Sequence, residues 1–288
     1  EANCTTPDCG DGIVNNLIEP PEQCDNGKND DPLYSPTQPG PNPCAAGCVA
    51  AEYCGDGVPN GPGPEPCDTG GVQTAGCETD CRVPSCGDAT VNTLAGEACD
   101  DGNKTDGDGC SADCSAIERR VFVSSDLYVG DLKIAFDNPN MLTGLALADA
   151  RCNALAASAR LSGNFKAWLS DMSTEPVARM DTTFSGLYRL GSDDFPVVAT
   201  GWQDLVDGSL ALPIDADESG TTIANFKNVW TNTLPDGTRA SDLHCEGWTS
   251  TNGTTVVGTT TATNVTWTNF GPDQFCSDGR RLYCFEDL

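Results

Sequence analysis

Residues 86–114 read CGDATVNTLAGEACDDGNKTDGDGCSADC, and this stretch decides how the first part of the chain folds. It opens with a Cys-Gly-Asp step, continues with an acidic Cys-Asp step and closes with two cysteines four residues apart. Two earlier stretches, which begin at Cys9 and Cys54, have the same pattern: a Cys-Gly-Asp step, then a Cys-Asp step, then two cysteines four residues apart. A unit of four cysteines therefore occurs three times, which predicts a repeat architecture.

Each repeat is short and poor in large apolar side chains, so disulfides, metals or neighbouring repeats must supply the stability that a small core cannot. Four cysteines allow three pairings, and the spacing does not choose among them. Cys4 precedes the first repeat and has no partner within it. A free terminal thiol, a disulfide to another chain and a disulfide to a reshuffled partner within this chain are all open for Cys4.

The composition indicates an oxidising compartment and a cationic partner. Seventeen cysteines accompany a single histidine among 288 residues, a ratio typical of secreted, extracellular proteins. The formal net charge of -28 argues against binding of nucleic acid or an anionic membrane, because both need clustered Lys and Arg. No apolar run reaches the roughly 18–20 residues of a membrane helix, so we expect no membrane-spanning segment.

A change in composition near residue 118 predicts a boundary between two kinds of structure. Thirteen cysteines lie at or before Cys114, and only four follow. We expect three cysteine-rich repeats with little regular secondary structure, followed by an α+β domain. The predicted boundaries are 1–53 for the first repeat with its N-terminal remnant, 54–85 for the second, 86–118 for the third and 119–288 for the last domain.

The last domain has one clear helix pattern and several short strand patterns. The Ala- and Leu-rich stretch 145–161 predicts a helix that ends at Gly163. Short runs of β-branched, aromatic and leucine residues predict strands at 120–123, 165–169, 186–190, 229–231 and 282–285.

The repeats contain residues of the kinds that bind calcium. Calcium takes six to eight oxygen ligands from carboxylates, Asn side chains and carbonyl groups, and glycines let a short loop wrap around it. The third repeat is the richest in such groups, with Asp88, Asn92, Asp100, Asp101, Asn103, Asp106 and Asp108. The corresponding candidates are Asp11, Asn15 and Asp25 in the first repeat and Asp56, Asn60 and Asp68 in the second. Alternatively, these are turn residues whose side chains bond to their own backbone.

The repeat pattern closely resembles the Myxococcus cysteine-rich repeat of secreted and surface proteins. The resemblance is carried by Cys-Gly-Asp-Gly, by Gly96-Glu97-Ala98-Cys99-Asp100-Asp101-Gly102-Asn103 and by Gly107-Asp108-Gly109-Cys110. It covers about residues 4–118, and it is clearest in the third repeat. The resemblance implies an extracellular spacer or stalk.

The last domain resembles the endostatin-like domain, a relative of the C-type lectin fold. The resemblance rests on Phe165-Lys166-Ala167-Trp168-Leu169-Ser170, Val229-Trp230, Cys245-Glu246-Gly247-Trp248 and Leu282-Tyr283-Cys284-Phe285-Glu286. It implies nested disulfides, Cys152 to Cys284 and Cys245 to Cys276. The zinc histidines and heparin-binding arginine patch of endostatin have no counterpart here, and the Glu-Pro-Asn and Trp-Asn-Asp motifs of sugar-binding lectins do not occur.

The sequence gives little support for an enzymatic function. The single histidine, His244, excludes HExxH zinc sites, and no phosphate-binding glycine loop joins a strand to a helix, so we expect neither zinc nor a nucleotide. Trp202 and Trp267 are the candidates for an exposed ligand platform.

We therefore expect a non-enzymatic extracellular bacterial surface protein, a structural subunit of a fibre or surface assembly with calcium-stabilised repeats. Self-association or a surface or matrix partner is expected. The alternative is a monomeric adhesin whose endostatin-like head recognises a glycan or a matrix protein.

Overall fold

The chain divides into two compact units, Glu1–Asn103 and Lys104–Leu288. The computed structural model describes residues 9–15, 21–28, 30–38, 43–60, 65–133, 142–191, 196–225 and 227–287. The sequence boundary after residue 118 falls inside the second unit, so residues 104–118 belong to the third repeat by sequence and to the second unit by packing.

The first unit has very little regular structure, as its composition predicts. Its described strands are two residues long: β1 (Tyr34–Ser35), β2 (Cys44–Ala45), β3 (Val49–Ala50) and β4 (Glu52–Tyr53). β1 pairs with β4 in parallel, and β2 pairs with β3 in antiparallel orientation. Most of its buried apolar side chains are cysteine or alanine, so cross-links replace a core of large side chains.

Disulfides in the first two repeats select one of the three pairings that the sequence left open. The first cysteine bonds to the fourth and the second bonds to the third. The bonds are Cys9–Cys48 and Cys24–Cys44 in the first repeat, and Cys54–Cys81 and Cys67–Cys77 in the second. Cys86, Cys99, Cys110 and Cys114 of the third repeat are also disulfide-bonded. Every described cysteine is thus in a disulfide, which is typical of proteins from oxidising compartments.

The second unit is an α+β fold built around one eight-stranded mixed sheet. Its strand order is β11-β10-β9-β12-β5-β7-β8, with β6 pairing separately with β12. The elements in chain order are β5 (Glu118–Val123), α1 (Gly144–Ser158), β6 (Phe165–Ala167), α2 (Pro176–Arg179), β7 (Leu187–Leu190), β8 (Val197–Thr200), α3 (Gly201–Leu205), β9 (Asn228–Trp230), α4 (Cys245–Trp248), β10 (Thr254–Thr259), a 3-10 turn (Val265–Trp267), β11 (Phe270–Phe275) and β12 (Arg281–Glu286).

Alternating side chains of the central strands divide the core into two clusters. Tyr283 and Phe285 of β12 join one cluster, whereas Leu282 and Cys284 join the other. Successive side chains of a strand point to opposite faces, so a strand buried on both faces feeds both clusters. The Cys152–Cys284 disulfide joins α1 to β12 in the second cluster. Cys245–Cys276 is the other bond of this unit, and both pairs are those that the endostatin-like resemblance implies.

Helix α1 ends earlier than the sequence predicts. It stops at Ser158, and Arg160 adopts the left-handed conformation with φ of 62°. The amide of Leu161 then donates to the carbonyl of Ala156 at 2.9 Å, which closes the helix end. Arg160, not Gly163, is therefore the left-handed residue that terminates the helix. No helix among the described residues is long and apolar enough to cross a membrane.

Candidate cation sites in the cysteine-rich repeats

The aspartate after the second cysteine of each repeat accepts hydrogen bonds from backbone amides. In the first repeat, Asp25 accepts from the amides of Gly10 (2.8 Å), Asp11 (3.1 Å), Gly12 (3.0 Å) and Gly27 (2.8 Å). Gly10 and Gly12 have φ of 103° and 85°, which lets successive amides converge on one anion. The hydrogen bond from Gly27 makes the largest contribution to lowering the pKa of Asp25.

Asp68 and Asp100 occupy the same position in the second and third repeats. Asp68 accepts from Gly55 (2.9 Å) and Gly70 (2.7 Å), and Asp100 accepts from amides that include Gly87 (2.6 Å). Burial by itself raises the pKa of both carboxyl groups, but the amide hydrogen bonds outweigh it and the pKa of each lies below its ordinary value. These three aspartates are anions held by the backbone of their own repeats.

The aspartate of the opening Cys-Gly-Asp step forms a local turn in every repeat. Asp11 accepts from the amide of Ile13 at 2.9 Å, and Asp56 accepts from Val58 at 2.8 Å. Asp88 makes the equivalent bond to the amide of Thr90 at 3.0 Å. This is the turn-residue role that the sequence left open as the alternative to calcium ligation.

The predicted loop of the third repeat is divided between the two units. Asp100, Asp101 and Asn103 lie in the first unit, where Asp101 accepts from the amide of Asn103 at 3.3 Å. Asp106 and Asp108 lie in the second unit. There Asp106 accepts from the amide of Ala112 at 2.7 Å and lies 3.7 Å from Arg189. Internal partners thus already engage Asp101 and Asp106.

A buried glutamate in each repeat was missed by the sequence analysis. It lies three residues before the amide-bound aspartate, at Glu22, Glu65 and Glu97. All three side chains belong to buried residues, with exposed fractions of 5%, 0% and 9%. The sequence signal for it is the pattern Glu-x-Cys-Asp, which occurs in all three repeats.

The predicted asparagines contact these glutamates. The backbone amides of Asn15 and Asn92 donate to the Oε2 atoms of Glu22 (2.6 Å) and Glu97 (2.7 Å), respectively. In the second repeat the Asn60 side chain donates to Oε2 of Glu65 at 2.7 Å. Each repeat therefore brings one asparagine to a buried carboxylate.

Several buried carboxylate oxygens of the first unit have no hydrogen-bond partner. They are Oε1 of Glu22, Oε1 of Glu65 and both carboxylate oxygens of Glu78. Burial raises the pKa of Glu65, and contact with Asp68 raises it further. Burial is also the main reason why the pKa of Glu78 is raised.

The predicted tryptophan platform is wrong. Trp202 and Trp267 have exposed fractions of 3% and 0%, and both belong to the first core cluster. Trp267 packs against Trp168 with ring centroids 5.1 Å apart, and Trp168 also contacts Trp202 at 5.9 Å. Neither indole can present a face to a ligand, because the sheet buries both.

His244 lies at a strained turn on the second unit. Its Nδ1 atom accepts from the amide of Gly247 at 2.7 Å, and it lines an open pocket of about 230 Å³ that also contains Glu246. All four residues of Cys245–Trp248 have positive φ. Cys4, the predicted interchain cysteine, lies outside the described residues.

Comparison with known proteins gives no family assignment: no protein-family model matches the chain, and no curated protein matches its sequence.

Proposed function

We propose that this protein is a non-enzymatic structural subunit of an extracellular fibre or surface assembly. The observation that carries the proposal is the nested cross-linking, in which every described cysteine is disulfide-bonded. Nested disulfides hold a chain with few large buried side chains in one shape, as a spacer exposed to the extracellular medium requires. The resemblance to Myxococcus-type repeats and to an endostatin-like head supports the same function.

Exposed aliphatic side chains on the repeats support self-association. Ile13 and Val58 occupy the same position, four residues after the first cysteine of their repeats. Their exposed fractions are 70% and 59%, and Val91 is exposed near the corresponding point of the third repeat. A contact repeated along the chain suits binding between copies, because each copy then offers several equivalent points of contact.

Calcium is part of this proposal. The first unit is strongly acidic, and its buried carboxylates include oxygens without a partner. A hard divalent cation would offset that charge with oxygen ligands alone.

The adhesin remains as the second candidate because of the turn around His244. Left-handed backbone at residues other than glycine costs about 1–2 kcal/mol for each residue, and such strain clusters at binding sites. Cys245, Glu246 and Trp248 all have positive φ, and Cys245 and Glu246 line the open pocket. A head that binds a glycan or a matrix protein would use this pocket.

Sedimentation of the non-reduced protein tests the proposal, first in calcium and then in excess EDTA. We expect a species much heavier than the 30.1 kDa chain in calcium and smaller species in EDTA. A species that survives EDTA and dissociates only on reduction would assign an interchain disulfide, for which Cys4 is the candidate. A monomer in both buffers would reject the structural subunit and favour the adhesin.

A further inference from the structure

We propose that Glu22 with Asp25, and Glu65 with Asp68, each bind one calcium ion. These two Glu–Asp pairs differ from the acidic loop of the third repeat, where the sequence concentrates its calcium candidates. The inference rests on the proposal that the repeats bind calcium, and it states where two of the ions bind.

The two Glu–Asp pairs share several features, although they lie in different repeats. In each pair the glutamate Oε2 atom is hydrogen-bonded to an asparagine, while the Oε1 atom is buried without a partner. Ligand oxygens of Glu22 and Asp25 lie within 4.8 Å of each other and of the Cys48 sulfur. In the second repeat Glu65 lies within 4.8 Å of the sulfurs of Cys54 and Cys81, the disulfide equivalent to Cys9–Cys48. A buried glutamate with one oxygen lacking a partner lies beside the equivalent disulfide in both repeats, which argues for a common role.

Each pair carries more negative charge than its surroundings compensate. Backbone amides already hold Asp25 and Asp68 as anions. The neighbouring glutamate adds a second carboxylate, and among the described residues no lysine or arginine forms an ion pair with it. A buried carboxylate without a partner is costly, so a positive charge must accompany it.

The available ligand atoms favour a hard cation. The nearby sulfurs are in disulfides and are therefore not thiolates, and the only histidine of the chain is His244. Zinc and other softer metals prefer thiolate or imidazole ligands, whereas calcium accepts carboxylates and completes its shell with carbonyl groups and water. Calcium also tolerates irregular geometry better than magnesium does.

The third repeat gives no equivalent site. Glu97 is more exposed than Glu22 or Glu65, and its Oε1 atom is not among the buried oxygens without a partner. We therefore assign one ion to the first repeat and one to the second.

Calcium titration of the full chain by calorimetry, with terbium luminescence as a second readout, tests the assignment. We expect Glu22→Gln and Glu65→Gln each to remove one high-affinity site, weakening binding there by about tenfold or more. The double variant should lose both sites. Gln keeps the shape of Glu, and an unchanged non-reduced mass and disulfide map will show that each variant folds.

Glu52→Gln is the matched control, because Glu52 is exposed in the first unit and its replacement removes the same charge. It should bind calcium as the wild type does. Equal binding by Glu52→Gln and the double variant would overturn the inference. Higher thermal stability of the double variant than of the wild type in EDTA, without calcium binding by either, would also overturn it and would identify a proton as the positive charge.

A second variant separates this inference from the wider calcium proposal. Asp101→Asn with Asp108→Asn removes charge from the predicted loop of the third repeat. If that variant loses the bound calcium while the double glutamate variant retains it, the repeats bind calcium but the Glu–Asp assignment is wrong. If the wild type binds no calcium at all, both proposals fail.

Discussion

In the first unit, the pKa of each carboxyl group depends on the hydrogen bonds and burial of that residue. The three amide-bound aspartates, Asp25, Asp68 and Asp100, accept several backbone hydrogen bonds each, and such bonds to a charged acceptor are stronger than neutral ones. Glu78 has the opposite environment, because neither of its oxygens has a partner. One small unit therefore contains carboxyl groups with pKa values shifted in both directions.

Removing an amide-bound anion should loosen its turn locally. We expect Asp68→Asn, measured in EDTA, to weaken protection of the Gly55 and Gly70 amides by about 1–3 kcal/mol, because a neutral amide accepts more weakly. Hydrogen exchange at these amides is the measurement. Asp80→Asn is the control, because Asp80 bonds to Arg82, through an exposed ion pair and a hydrogen bond from the Arg82 amide, and not to Gly55 or Gly70. Equal protection in both variants would contradict the structural role of Asp68.

Glu78 should make the first unit less stable as the pH rises. Its pKa is raised above 4.5, first by burial and then by the charge of Asp88. The stability that protonated Glu78 contributes is therefore fully present below about pH 4.5, and it is lost as the pH rises through the pKa of Glu78 in the folded state. Among the described residues, Glu78 belongs to no group of three or more side chains placed to hold a metal ion.

Thermal unfolding of Glu78→Gln between pH 4 and pH 8 tests this prediction. The variant should melt at a higher temperature than the wild type at neutral pH, and the difference should shrink as the pH falls. A variant that is less stable than the wild type at every pH would contradict it.

At the scale of elements, the ends of helices and turns depend on left-handed residues. Arg160 closes α1 in a conformation that glycine adopts without cost, and its side chain is exposed. The sequence predicts Gly163 for this role, because glycine is the usual residue there.

Arg160→Gly should stabilise the second unit by about 0.5–1 kcal/mol, because it removes the strain of positive φ. Ala159→Gly is the matched control. Ala159 has φ of -86°, so glycine there relieves no strain and only increases the conformational entropy of the unfolded chain. It should therefore destabilise the second unit by a similar amount. Denaturant unfolding followed by tryptophan fluorescence reports on the second unit alone, since all five tryptophans lie after residue 118. Destabilisation by both changes would show that the cap is not strained.

At the scale of the whole molecule, cross-links over very different loop lengths set the stability. Cys152–Cys284 spans 132 residues, whereas Cys245–Cys276 spans 31. In the chain-entropy account a longer closed loop gives more stabilisation, because the unfolded chain loses more freedom.

Replacing both cysteines of a pair by alanine should therefore destabilise the second unit unequally. We expect the Cys152/Cys284 double variant to lose about 1 kcal/mol more than the Cys245/Cys276 double variant, from a total of about 4–5 kcal/mol. Denaturant midpoints of the two variants give the comparison. An equal or reversed order would show that local packing outweighs loop length.

Much of the architecture could be predicted from the sequence. The helix of 145–161 and the strands around 120–123, 229–231 and 282–285 are present, because their apolar patterns match what the sheet buries. Strands β8, β10 and β11 were missed; β10 is mainly threonine, valine and glycine, and β11 contains a glycine and a proline, which are weak local signals.

Cysteine spacing and apolar periodicity are local properties, so the repeat register, the cross-linked character of the first unit and the α+β class of the second can be predicted from the sequence. The cysteine pairing within the repeats depends on how the turns bring the cysteines together, so it is known only from the folded chain. The same holds for the burial of Trp202 and Trp267 and for the oxygens of Glu22 and Glu65 that have no partner. Burial and hydrogen bonding depend on residues distant in the chain, so no local pattern reveals them.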